Sequence, residues 1–429
     1  MRVLCTGDIH IGRRASRIPP ALDGRHFSCA SAWEAVVNAA IEHDVDLVAV
    51  SGDVVDRENR FFEAYGPLEN GLRRLAAAGI AVFAVTGNHD FDVLPRLAES
   101  TAGNGLRLLG RGGRWETETV RRNGRPALHI LGWSFPQEHV GSHPLADLPT
   151  LPTDGVPILA MLHADLDQPD SRYCPVPLAE LRRHDAGLWL LGHIHVPRLF
   201  EGDGPPVLYP GSPLAMDPGE TGVHGVWIVE LTTGGVVAPR LVPVSPVRYV
   251  EVSLDLTGVA DKQAFDLKLA ECLRTTLHDE LARPDCGPLE CLSCRITLTG
   301  HTPVHRLLPG WVRTAPDDLM PAAGRATACI DTIEIATRPA IDLQRIATVT
   351  DPPGEIARLL LALDQDEPPA PYDVLVTRTT QRLRDLYHSA TYGELASDAV
   401  PDATAAIHHL RQQGWLLLST LVAQKQDAP

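Results

Sequence analysis

Five short stretches bearing Asp, Asn and His constrain this chain more than anything else in it, because each directly follows an apolar run. They are Gly7-Asp8-Ile9-His10, Gly52-Asp53-Val54-Val55-Asp56-Arg57, Gly87-Asn88-His89-Asp90, Met161-Leu162-His163 and Gly192-His193-Ile194-His195. An apolar run that stops at a polar cluster reads as a buried strand ending in a loop. Open α/β sheets hold their ligands at the carboxyl ends of such strands. Asp, Asn and His together are ligands for borderline divalent metals such as manganese or iron. Asp8 and His10 stand two apart, so in an extended loop both side chains point the same way, and His193 and His195 repeat that spacing. Seven candidate donors exceed what one ion needs. They suit two ions sharing a carboxylate, most simply Asp53.

Between the stretches the pattern alternates. Arg2 to Thr6 reads as a strand. Ala30 to His43 carries Trp33, Val36, Val37, Ala40 and Ile41 at helical spacing, as expected of a helix packed on a sheet. Asp46 to Ser51 is a continuous apolar strand of the kind covered on both faces. A helix over Tyr65 to Ala78 stops at Gly79, and Ile80 to Thr86 is the next strand. This alternation predicts a layered α/β domain. Further on, strands are expected over Leu128–Trp133, Val156–Leu162, Gly187–Leu191, Pro206–Tyr209 and Gly225–Leu231, a run that suggests a second sheet packed on the first. A boundary is expected near Pro243 to Pro246. A small α+β unit follows, with strands over Arg248–Leu256, Glu290–Thr299 and Ala328–Ala336 and a helix over Asp261–Arg283. The last segment carries helical patterns at Glu355–Leu363, Val374–Tyr387 and Ala403–Val422.

The order Asp-x-His, Gly-Asp-x-x-Asp, Gly-Asn-His-Asp, His, Gly-His-x-His resembles the calcineurin-like metallophosphoesterase superfamily over about the first half of the chain. Tyr209-Pro-Gly-Ser-Pro-Leu-Ala-Met216 is similar to the Tyr-x-Gly-Ser-Pro stretch of the SbcD-like DNA repair exonucleases. The resemblance implies a β-sandwich flanked by helices, with a small α+β capping domain and a helical C-terminal segment. The expected division is 1–245, 246–340 and 341–429. It also implies roles. Asp8, His10, Asp53 and His195 would hold one ion, and Asp53, Asn88, His163 and His193 the other. Paired ions about 3.5–4 Å apart clamp a phosphate and provide the attacking hydroxide near neutral pH. His89 would be the general acid for the leaving oxygen, with Asp56 orienting it. Arg13 and Arg57, beside the first two motifs, are candidates for binding the substrate. Manganese is the expected metal, since magnesium prefers oxygen ligands alone.

Charge bears on partners. The formal net charge is −16, which disfavours a polyanion unless cations compensate. Two bound dications would offset the ligand carboxylates. A partner subunit is expected to supply much of the grip on DNA, and the resemblance implies an SbcC-like coiled-coil ATPase. A homodimer is the other assembly allowed. Leucine stripes at Ile356, Leu359, Leu360 and Leu363, and at Ile407, Leu410, Leu417, Leu418 and Leu421, mark the last segment as the docking element, or as helices folded back on their own domain.

No apolar stretch reaches the length of about 18 residues that a membrane span needs. With Met1 leading straight into a strand and eight scattered cysteines, a reducing, cytoplasmic setting is expected. Cys291 and Cys294 read as strand cysteines, because a zinc site needs further Cys or His at finger-like spacing. Two rivals to a nuclease remain. One is a phosphatase of proteins or small phosphoesters, suggested by Gly-Asp-Val-Val-Asp-Arg57. The other is a scaffold without chemistry, which the full donor set disfavours.

Overall fold

The computed structural model describes residues 1–429 apart from 23–24, 57–59, 102, 104, 315–318, 366–367, 388–399 and 427–429. Two six-stranded sheets form the first half. From edge to edge the first runs Gly235–Pro243, Gly225–Thr232, Arg2–Thr6, Leu47–Val50, Ala81–Ala84 and Leu106–Leu108. The second runs Arg198–Phe200, Val207–Tyr209, Leu188–Gly192, Ile158–His163, Arg125–Trp133 and Glu116–Arg122. The strands that end at the polar motifs are parallel neighbours: Thr6 pairs with Val50, Val50 with Ala84, and His163 with Gly192.

Side-chain alternation along each strand divides the core into layers. Val3, Cys5, Leu47, Ala49 and Phe83 face Ile130, Leu159, Met161, Leu188 and Leu190 between the sheets. Leu4, Val48, Val50 and Val82 face the other way, onto Trp33, Val36, Val37, Leu68, Leu72 and Leu75 of the helices Cys29–Glu42 and Arg60–Ala77. This is the helix-flanked sandwich expected. Truncating a fully buried residue such as Leu190→Ala would cost about 2–5 kcal/mol. The two helices approach closely at Gly71, where a Cβ would lie 2.2 Å from Trp33 Nε1. That indole donates to Pro67 O at 3.1 Å, the carbonyl of a proline inside the second helix.

Some elements differ from the sequence expectation. The helix Arg60–Ala77 begins more than a turn before Tyr65, because its first turn precedes the apolar stripe. The elements not anticipated include the helix Leu94–Ser100 and the sheet strands Leu106–Leu108, Glu116–Arg122, Arg198–Phe200 and Gly235–Pro243. Glu116–Arg122 is a half-exposed edge strand of mostly polar residues. Gly235–Pro243 carries Pro239 and lies at a sheet edge, where proline is tolerated.

A third sheet has the order Val247–Asp255, Cys291–Thr299, Ala326–Ile335, Ala322–Ala323, and the helix Lys262–Ala282 lies in sequence between its first two strands. Tyr249, Cys291 and Cys329 of this sheet pack with Phe27, Cys29, Leu214 and Met216. Cys291 Sγ is 3.8 Å from Cys329 Sγ, and all eight cysteines are free thiols.

The chain separates into two compact units interleaved along the sequence: 1–253 with 269–297 and 316–334, and 254–268 with 298–315 and 335–429. The second unit contains the helices Pro352–Leu363, Tyr372–Tyr387 and Ala403–Gln426. Asp351 caps the first of these by accepting from Gly354 N, the usual work of an N-cap carboxylate. Leu359, Leu363, Val376 and Ala406 form their core, with Ile407 and Leu410 packed against it. Gly414 brings the last helix onto Leu360. Much of the leucine pattern is therefore used within the unit, while Leu416 and Leu417 stay 65% and 46% exposed. Among the described residues no helix is long and apolar enough to cross a membrane.

Candidate metal centre

The ligand loops prolong the strands. Beyond the pairing of Thr6 with Val50, Asp8 N donates to Gly52 O, His10 N to Asp53 O and Ile11 N to Val54 O, at 2.8–3.0 Å. The first two motifs are thus locked side by side. The backbone is strained there: Asp8, His10 and Asp53 have φ of 49°, 50° and 50°, and His193 has 100°. Non-glycine residues rarely adopt this region, and such strain gathers at functional sites. Gly87 is required by close approach, since a Cβ there would fall 2.2 Å from Asp53 Oδ1.

Six of the seven candidate ligands converge directly. His10 Nε2 and His195 Nε2 are 3.2 Å apart, with a carboxylate oxygen of Asp8 in the same group of donors. Asp53 Oδ2 is 3.3 Å from His163 Nε2 and 3.8 Å from His10 Nε2. Asn88 Oδ1 is 3.1 Å from His163 Nε2. Asp8, Asp53 and His163 form a second donor group, so the two groups share Asp8 and adjoin at Asp53. His193 borders them: its ring meets that of His163 at 5.3 Å, its amide donates to Asp8, and its Nε2 lies 3.4 Å from Asp165 Oδ1.

The other named residues gather at the rim. His89 is packed edge-on to His10 at 4.8 Å, and its Nδ1 lies 3.9 Å from Asp56 Oδ1. Its amide donates to Asp53 Oδ1 at 2.9 Å. Asp56 also approaches His10 Nδ1 at 3.7 Å and Arg13 Nε at 3.4 Å. Arg13 reaches on to Asp217 at 2.9 Å, so two carboxylates already engage it. Arg57 lies outside the described residues.

The electrostatics favour added positive charge. Burial works against the charged form of Asp53, but the imidazoles of His163, His10 and His89 hold its carboxyl well below the usual range. Burial likewise opposes charge on His163, yet Asp53 and Asp8 prevail and push it up to about 9. Burial outweighs the imidazoles around Asp8 and raises its carboxyl, while burial pulls His10 well down. Buried oxygens and nitrogens with crowded carboxylates form a donor set that two divalent cations satisfy. The residues present fit such a pair.

Three carboxylates in this centre had no role assigned from sequence. Asp90 is fully buried and braces two loops, accepting from Val54 N at 2.7 Å and Gly87 N at 2.8 Å. Burial, reinforced by Asp53, pushes it up to about 7. Its place in the third motif was a usable signal. Asp165 and Glu220 contact His193 and His195, and no spacing in the sequence announces either.

Residues 1–197 match the family model of the calcineurin-like phosphoesterases. The chain is 27% identical over 220 residues to the uncharacterized metallophosphoesterase YhaO of Bacillus subtilis, covering 47% of this chain and 49% of that one. It is 31% identical over 263 residues to the DNA double-strand break repair protein Mre11 of Haloferax volcanii, covering 59% and 55%. To the Mre11 of Aeropyrum pernix it is 26% identical over 223 residues, covering 49% and 53%. The chain spans about half the length of these curated relatives.

Proposed function

We propose that the protein is a two-metal phosphodiesterase acting on DNA, and that manganese is its metal. The observation that carries the chemistry is the convergence of Asp8, His10, Asp53, Asn88, His163 and His195 beside a second-row histidine, His89, backed by Asp56. The relatives named as DNA double-strand break repair proteins support DNA as the substrate. Asp8, His10, Asp53 and His195 would hold one ion, and Asp53, Asn88, His163 and His193 the other. Bound there, the ions would neutralise the phosphate and supply the nucleophile.

The chain's own residues do the rest. Hydrolysis breaks a P–O bond and leaves an alkoxide, which needs a proton. His89 is only partly buried, so its ring can reach a substrate oxygen, and its Nδ1 lies 3.9 Å from Asp56 Oδ1, the carboxylate that would orient it. The proton passes from His89 to the leaving oxygen. Arg13, one-third exposed between Asp56 and Asp217, offers a cation near the phosphate.

The partner reading rests on the second unit. Leu416 and Leu417 on the last helix are exposed apolar residues that a coiled-coil ATPase of the SbcC type would cover, which would also relieve the charge problem on DNA. Such a complex serves DNA repair or defence. Removing residues after Ala340 and co-purifying with the candidate ATPase tests it. Docking gives a soluble, metal-loaded enzyme that no longer retains the ATPase, and retention by the truncated chain rules the segment out as the main contact.

Activity is tested on linear DNA and on a phosphomonoester side by side, with manganese. Turnover of DNA and not of the monoester supports the reading. The reverse would install the phosphatase that Gly-Asp-Val-Val-Asp-Arg57 suggests.

A further inference from the structure

Each histidine of the centre has two ring nitrogens, and only one can face a cation. The other nitrogen meets a different environment in each case. His163 Nδ1 donates to a neutral carbonyl, Ser51 O, at 3.0 Å. His10 Nδ1 is buried without a hydrogen bond, with Asp56 Oδ2 3.7 Å away. His193 Nε2 lies 3.4 Å from Asp165 Oδ1. His195 alone makes a short contact with a carboxylate: Nδ1 to Glu220 Oε1 is 2.6 Å.

Glu220 is itself held in place. It is 9% exposed, and its second oxygen accepts from Met216 N at 2.7 Å. Its own amide donates to Asp217 O at 2.8 Å, closing a turn. With both oxygens acting as acceptors, the proton shared with His195 belongs on Nδ1. That leaves the Nε2 lone pair facing His10 Nε2 and the Asp8 carboxylate. A carboxylate behind a ligating imidazole fixes its tautomer and orientation and raises its basicity.

We infer that Glu220 is the positioning residue of the metal ligand His195, and so sets the affinity of one metal position and not the other. This inference rests on the two-metal reading above. The glutamine variant makes a discriminating test. A glutamine has one acceptor oxygen and one donor NH₂, whereas the site presents two donors, Met216 N–H and His195 Nδ1–H. Glu220→Gln therefore sets a donor against a donor on one side, with almost no change in shape.

The experiment titrates the full-length, metal-free protein with manganese by calorimetry and measures bound metal after gel filtration. The melting temperature of the metal-free protein serves as the control for folding. Wild type should take up two ions. Glu220→Gln should still melt cooperatively when metal-free, which shows that it folds, and should lose about 10–100-fold in affinity at one site only, the usual cost of removing such a support. Glu220→Ala should weaken the same site at least as much. Unchanged affinities in a folded Glu220→Gln protein would overturn the inference, as would an equal loss at both sites. Failure of the two-metal reading shows elsewhere, in a wild-type titration with fewer than two ions, and takes this inference with it.

Discussion

At one end of the two six-stranded sheets the strands run out into loops that bury Asp8, His10, Asp53, Asn88 and His163 almost completely. At the other end the same sheets begin around a hollow of about 730 Å³. It is walled by Gly155, Pro157, Gly187, Gly204, Pro206 and Thr233 among others, and its walls carry no histidine. The hollow thus has the poorer chemistry. Prolines and glycines there turn the chain between strands, and its acidic groups, Asp185 and Glu201, have no cationic partner in the wall. The metal donors converge at the carboxyl ends of parallel strands, and the hollow lies where turns connect the strands at the opposite end.

That contrast can be broken by substitution, and the largest effect is expected from Asp53→Asn. The variant should fail to take up the paired ions, and phosphodiesterase activity should fall to background in a metal-dependent assay. Full wild-type activity in chelator would remove the basis of the contrast. Next comes His89→Ala, which should retain both ions and still lose roughly 10²–10⁴-fold in rate, the usual contribution of a general acid. The loss should shrink on a nitrophenyl ester, whose leaving group needs no proton. Equal losses on both substrates would assign His89 another task.

The third effect depends on pH. His163 is raised to about 9 and His195 is also raised, so in the metal-free protein both retain protons above the usual imidazole range. A metal needs the neutral rings, so binding below about pH 9 must displace protons. Manganese affinity should therefore climb between pH 6 and pH 9, by up to about tenfold per pH unit for each proton displaced. An affinity that stays flat over that window would mean that the rings are neutral beforehand. The smallest effect sharpens the other side of the comparison. Thr233→Trp, which crowds the hollow from an exposed turn, should leave metal content and turnover unchanged and alter stability by no more than about 0.5 kcal/mol.

The end of the sheets that matters was also the end most legible in the sequence. A strand buried on both faces is a continuous apolar run, so Leu47–Val50 and Ile158–His163 stand out, and the motifs mark where they stop. Glu116–Arg122 was hidden because an edge strand with polar faces has no apolar signature, and Leu94–Ser100 because it is too short for a helical period to register. The donors themselves were readable because chain-local spacing places them. Glu220 was not, since it reaches His195 only through the turn at Met216–Glu220, a tertiary fact. In the last segment the stripes were visible, but which leucines they spend on one another, such as Leu360 under Gly414, depends on how three helices fold together.

The backbone bonds that lace Asp8–Ile11 to Gly52–Val54 make the metal centre an extension of the strand ladder. A one-residue slip of Leu47–Val50 against Arg2–Thr6 would turn its side chains to the wrong face and carry Asp53 away from Asp8 and His10. Misregistered molecules would thus be unable to load metal. Because a ligand stabilises only the state that binds it, manganese supplied during refolding would act as a proofreader, drawing the population toward the correctly threaded sheet before any substrate arrives.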